Sequence, residues 1–330
     1  MKIKFALLLL LGISAVSCQS SAKRKQATIV FYNVENLFDT VDDPHKNDND
    51  FLPGSDKQWT TERYQKKLDD IASVLTNINP DELPEVIGLC EIENLTVLKD
   101  LAKTKAMSNG KYRIVHQDSP DDRGIDVALL YRPREFKLIM HEALPVNPRF
   151  KTRDILHVYG QLGRDKIHFF VNHWPSRIGG LDKTEPNRMA AAHVLKNKVD
   201  ELLARDADAK IIIMGDMNDE PGNASLLSTL GAKAPNSDSR LTNLMFPLKD
   251  KKLGSYNYRG NWNMLDNLIV SNSVLNGKGF VTTAPGFIFH EKWMEYKNKN
   301  GDISPNRTYG GPNYYGGVSD HFPVYLKLSR

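Results

Sequence analysis

The sequence predicts a mixed α/β protein whose sheets are covered by helices, on three observations. Runs rich in β-branched and aromatic residues recur as strands at 27–33, 85–92, 112–116, 126–131, 156–162, 166–172, 210–215 and 267–271. Helical apolar spacing fills some of the gaps between them, as expected of helices laid over sheets. The strands between 126 and 172 follow one another without a helix, which favours antiparallel or mixed sheets over a purely parallel one.

Taken in order, the first strand ends on the polar sequence Asn33-Val34-Glu35-Asn36. A helix over 64–75 follows, with Tyr64, Leu68, Ile71 and Leu75 on one face. The strand at 85–92 leads into a shorter helix at 95–102. After the helix-free group, Met189, Ala192, Leu195, Val199 and Leu202 mark a helix over 188–204, opened by Pro186-Asn187. The strand at 210–215 is a β-branched run punctuated by Gly215 and Pro221. These stripes are core, and no chemistry is assigned to them.

The ends and the composition bound the setting. Lys2 and Lys4 precede an apolar run at 5–16 that stops at Ser17-Cys18. That run is short for a bilayer span, and its basic-then-apolar order is that of a secretory signal. The small residues before Cys18 resemble a bacterial lipoprotein signal, so residues 1–18 are expected to form that signal, with Cys18 lipidated and retained as the mature N-terminus. On that expectation 19–26 is a tether, with Lys23, Arg24 and Lys25 solvated, and 27–330 is one domain working in the cell envelope (outer membrane or periplasm), or otherwise secreted. Cys90 is the only other cysteine, so no disulfide framework supports the fold. A chain of 330 residues buries an adequate core without one. The net charge of +4 does not identify a polyanion-binding protein, and a monomer is expected.

Five polar motifs sit at strand ends. They are Phe31-Tyr32-Asn33-Val34-Glu35-Asn36; Gly88-Leu89-Cys90-Glu91-Ile92-Glu93-Asn94; Asn172-His173-Trp174-Pro175-Ser176-Arg177; Gly215-Asp216-Met217-Asn218-Asp219; and Ser319-Asp320-His321-Phe322-Pro323, the last preceded by Met264-Leu265-Asp266-Asn267. Each alone is ordinary turn chemistry. Together they place two histidines, several carboxylates and several carboxamides where strands leave their sheets. The chain has no Gly-Lys-Ser/Thr phosphate loop, no Gly-x-Ser-x-Gly elbow and no His-Glu-x-x-His helix, so P-loop hydrolysis, acyl transfer and zincin proteolysis lose support. Glu, Asp and Asn without cysteine ligands suit a hard cation such as Mg²⁺ or Mn²⁺. Phosphodiester hydrolysis uses those parts: a Lewis acid, a positioned water and donors to the phosphoryl oxygens.

In residue type and order these motifs resemble the endonuclease/exonuclease/phosphatase family, over nearly the whole chain after the signal. The resemblance implies a four-layer α/β sandwich, two packed mixed sheets flanked by helices. It implies that Glu91 is the principal metal carboxylate, with Asn33 beside it and Asp320 contributing. Asp216 would position or deprotonate the attacking water, and Asn218 would hold that water or a phosphate oxygen. His321, oriented by Asp266, and His173 would donate to the phosphate, with Asp126 a partner for His173. Glu93 would stand behind the metal site without ligating. Substrate choice falls to the loops at 42–59, 144–154, 231–263 and 280–317, where Arg177, Trp262, Tyr309 and Tyr315 are candidate contacts. The expected activity is a nuclease acting on nucleic-acid phosphodiesters; the alternative is a phosphatase or phospholipase C-type hydrolase.

Overall fold

The computed structural model describes residues 25–146 and 151–330. The expected signal segment, Cys18 and all but the last two residues of the expected tether lie outside the described residues. No helix among the described residues is long and apolar enough to cross a membrane.

Four strands of the first sheet come early: β1 (Gln26–Leu37), β2 (Val86–Ile92), β3 (Arg113–His116) and β4 (Asp126–Tyr131). The sheet has six strands in the order Phe287–Ile288, Val324–Ser329, β1, β2, β4, β3. The second sheet uses β5 (Phe136–Leu144), β6 (Ile155–Leu162), β7 (Asp165–His173), β8 (Lys210–Asp216), β9 (Ala232–Lys233) and β10 (Leu241–Asn243). Its seven strands run β5, β6, β7, β8, Asp266–Ser271, β10, β9. Both sheets are mixed. β1 pairs parallel with β2 and β7 parallel with β8, while β4, β6, Asp266–Ser271 and Val324–Ser329 pair antiparallel with their neighbours in these cores.

Alternation along the strands builds the layers. Ile29 and Phe31 of β1 and Ile212 and Met214 of β8 meet in the core between the sheets. Val30 and Tyr32 face the other way, against Leu68, Ile71 and Leu75 of α1 (Thr61–Asn77) and Val97 and Leu98 of α2 (Leu95–Lys103). Ile211 and Ile213 face Leu195 and Val199 of α3 (Leu181–Arg205). The result is the expected four-layer sandwich. At Gly88 a Cβ would fall 2.6 Å from Met214 Sδ, so glycine is what lets the two sheets close over the Met214 side chain.

Several expectations are corrected. α3 begins at Leu181, with Pro186 inside it rather than opening it. Proline removes one helical N–H there. The first turn is held instead by Arg188, which donates to Leu181 O at 2.9 Å and to Thr184 Oγ1 at 2.7 Å. The strands β5 and Val324–Ser329 went unread: β5 is an edge strand with a largely exposed middle, whereas Val324, Leu326 and Leu328 do alternate inward. The presumed loop at 231–263 contains β9, β10, a short helix (Phe246–Asp250) and the hairpin Tyr256–Tyr258/Asn261–Asn263. The loop at 280–317 carries two further small hairpins.

Candidate active site

The parallel pairs β1/β2 and β7/β8 end on one edge of the sandwich, and the antiparallel strands beginning at Asp266 and Val324 start there. Register then brings the motifs together. His173 lies opposite Asp216 in one pair and Asp266 lies opposite Asp216 in the next. Asn33 closes the gap between sheets, its Nδ2 donating to Asp216 Oδ2 at 3.0 Å and to Glu91 Oε1 at 3.3 Å. Gly215 has a local reason: a Cβ there would lie 2.5 Å from Asn172 O.

Bulges aim the side chains. The ladder slips between Asn33 and Leu37 in β1 and between Cys90 and Ile92 in β2. Glu35, Asn36 and Glu91 adopt positive φ of 49°, 54° and 61°, and Asn218 one of 48°. Such backbone costs about 1–3 kcal/mol per residue and persists where surroundings over-determine it. Here they do. Asn36 N donates to Glu91 Oε2 at 2.9 Å, Glu35 N to Asn33 Oδ1 at 3.0 Å, and Asn218 N to Asp216 Oδ1 at 2.9 Å. Asn218 Nδ2 also reaches Trp174 O at 3.0 Å.

Both imidazoles point at the carboxylates. His321 Nε2 and His173 Nε2 each lie 3.8 Å from Asp216 Oδ2, and His173 Nε2 lies 3.8 Å from Glu91 Oε1. His321 Nδ1 bonds Asp266 Oδ2 at 2.7 Å, and Ser255 Oγ donates to the same oxygen. Burial pushes Asp216 up to about 7, against the pull of His321. Burial alone would push His321 down, but Asp266 and Asp216 overcome it and hold this group well above the ordinary histidine range. Burial pushes His173 well below that range, helped by Arg153. One histidine is therefore a cation and the other is neutral.

Asp126 is not the partner expected for His173. It is bonded to His116 Nε2 at 3.0 Å and accepts from Ser119 N at 2.8 Å. His173 Nδ1 has no hydrogen-bond partner among the described residues. Glu93 accepts from Asp39 N at 2.6 Å, behind the bulge. Asp320 sits 3.5 Å from Arg307 Nη2. Arg177 is occupied by the protein: Nε donates to Asn218 O at 2.6 Å, and its other nitrogens face Asn263, Asp219 and Asn223. Trp262 stacks on Phe322, buried Tyr309 donates to Lys57 O at 3.0 Å, and exposed Tyr315 stacks with Tyr296.

Several further groups support the site through tertiary contacts. Ser319 Oγ donates to Asn33 O at 2.7 Å and accepts from His321 N at 3.1 Å, fixing the two histidine-bearing and amide-bearing segments together. Tyr256 lies over His321 with ring centroids 4.9 Å apart. Arg153, paired with Asp121 at 2.9 Å, donates to His173 O and Trp174 O. Buried Lys67 donates to Glu35 O at 2.8 Å and to Val318 O at 2.6 Å. Its position beside Leu68 and Ile71 on the inward face of α1 was the one legible clue.

The donors fit a hard divalent cation. Glu91 and Asp216 offer oxygens, with Asn33 turning its amide nitrogen to both and its oxygen to Glu35 N, while the Cys90 sulfur next to Glu91 is turned into the core between the sheets. Asp216, Asp266 and His321 also bring one ligand-type atom each within 4.8 Å of the others.

A sequence model described as "Endonuclease/Exonuclease/phosphatase family" matches residues 28–330. The chain belongs to the endonuclease/exonuclease/phosphatase family. Solved members have the same fold. D. rerio TDP2 complexed with single strand DNA product is 14% identical, with 92% of this chain and 99% of that one covered at a TM-score of 0.58. A Bacteroides thetaiotaomicron mannosyl-6-phosphatase is 17% identical, with 92% and 99% covered at 0.57. The human Nocturnin catalytic domain with bound sulfate anion is 15% identical, with 93% and 97% covered at 0.56. No curated protein matches the chain. Family membership makes this protein a hydrolase of phosphoric esters, and enzymes of the family depend on divalent metal.

Proposed function

We propose that the protein is a metal-dependent nuclease that cleaves nucleic-acid phosphodiesters by in-line attack of water. The observation that carries this reading is the pairing of a buried base with a buried acid: Asp216 Oδ2 lies 3.8 Å from Nε2 of the Asp266-bound His321. Asp216 takes a proton from the attacking water as the water oxygen bonds to phosphorus. Asn33 and Asn218 N fix the two Asp216 oxygens so that this base has one orientation. The His321 imidazolium donates to a non-bridging oxygen as charge grows there, and neutral His173 offers a second, weaker donor. The bond to the leaving oxygen breaks, and that oxygen acquires a proton from solvent. A Mg²⁺ or Mn²⁺ ion held by Glu91 and Asn33, with Asp320 contributing, would supply charge neutralisation at the phosphate.

The relative complexed with single strand DNA product supports a nucleic-acid substrate, and the mannosyl-6-phosphatase marks the alternative. The sequence further supports export and lipid anchoring at Cys18. The test is hydrolysis by the purified chain in Mg²⁺ or Mn²⁺. One arm holds plasmid DNA, linear DNA and RNA; the other holds sphingomyelin, phosphoinositides and phosphomonoesters. EDTA-sensitive cleavage in the first arm is expected. Activity confined to the second would replace the nuclease with a phosphatase or phospholipase C-type enzyme.

A further inference from the structure

Two clefts lie against the 307–315 segment that leads into Asp320-His321, and their charges differ in sign. The first, of about 400 Å³, opens beside the bulge that presents Asn36 to Glu91. Glu35, Asp50 and Asp56 line it against a single cation, Lys57. That lysine is already held by Asp50 at 2.9 Å and lies over the Phe51 ring. The second cleft, of about 290 Å³, opens on the His321 side. Tyr256 covers His321, and the hairpin it begins carries Arg259 into the second cleft. There Arg259 and Arg307 face a single acid, Asp302. Arg307 is shared with Asp320, but Arg259 has no carboxylate partner among the described residues and sits 5.1 Å over the Tyr258 ring. The same cleft is walled by the stacked pair Tyr296 and Tyr315, exposed to 46% and 51%.

Exposed aromatic faces beside a free guanidinium are what a single-stranded nucleic acid uses: the base stacks and the backbone phosphate meets the cation. The acidic cleft offers neither and repels a phosphate. Building on the nuclease reading, we infer that the second cleft is a nucleotide subsite, with a base against Tyr315 and Tyr296 and a phosphate at Arg259. The strand is held on that side of the scissile phosphate only. A chain threading through both clefts would place phosphates against Asp50 and Asp56, so the enzyme cleaves single strands at or next to an end.

Three substrates test this in Mn²⁺ with wild type, Arg259→Ala and Tyr315→Ala: an end-labelled linear single-stranded oligonucleotide, the same sequence circularised, and bis(4-nitrophenyl) phosphate. The linear strand should shorten stepwise from one end while the circle resists. Each variant should lose at least about tenfold more kcat/KM on the oligonucleotide than on bis(4-nitrophenyl) phosphate, as expected for one stacked base or one phosphate contact. A circle cut as fast as the linear strand overturns the inference. So do equal losses on both substrates, or hydrolysis of bis(4-nitrophenyl) phosphate with no cleavage of the oligonucleotide. Failure on all three substrates instead overturns the catalytic reading beneath it.

Discussion

His321 and His173 are both buried and both 3.8 Å from Asp216 Oδ2, yet their affinities for a proton are shifted in opposite directions, toward a cation at His321 and a neutral ring at His173. Distance to the shared carboxylate is not what separates them. Asp266 is bonded to His321 Nδ1 at 2.7 Å, whereas His173 Nδ1 has no partner among the described residues and Arg153 stands nearby. The partner on the far nitrogen decides whether a buried imidazole is a cation or a neutral donor. The sequence motifs pair the two histidines as equals; the structure ranks them.

The strongest way to sharpen that ranking removes the group both histidines face. Asp216→Ala should lower turnover by at least about 1000-fold in a folded protein, since base and water position go together. Single-turnover rates with circular dichroism of the variant check it, and a loss below tenfold would remove Asp216 as the base. Asp266→Asn comes next. It should turn His321 into a second His173, dropping its titration midpoint in NMR and costing about 100-fold in turnover, close to the loss of one transition-state donor. A His321 that stays protonated at neutral pH in that variant would contradict the partner argument.

The pH profile is a gentler probe. Burial raises Asp216 to about 7, and the base acts deprotonated, so kcat/KM should fall as pH drops through about 7. A divalent ion beside Glu91 shifts that limb to lower pH. At the other end, His321 is raised, so its donor is intact at neutral pH and is lost only on the alkaline side. A flat profile on the acid side would separate Asp216 from proton transfer. The smallest effect belongs to His173→Ala, which should cost several-fold less than the same change at His321, because an uncharged donor bonds a phosphate oxygen about half as strongly as a charged one.

Much of this was legible from residue types. Strand 126–131 matches Asp126–Tyr131 end for end, and the polar clusters announced themselves because apolar runs stop at them. What stayed hidden depends on tertiary contact. Glutamate has no propensity for positive φ, so nothing in the sequence marks Glu91 as a bulge; Asn36 N and Asn33, distant along the chain, hold it there. Ser255 and Arg153 look like loop residues until the fold sets them against Asp266 and His173. Pro186 reads as a helix opening because proline favours that position, and only Arg188, paired with Asp219 at 2.8 Å, explains a helix that starts five residues earlier.

The most direct test of the whole account is hydrolysis of a labelled single-stranded oligonucleotide by wild type and His321→Ala side by side, in Mg²⁺ or Mn²⁺ and again with EDTA. The account predicts wild-type cleavage that EDTA abolishes and a loss of about 100- to 1000-fold in a variant that keeps its fold. A folded His321→Ala protein as active as wild type would contradict it.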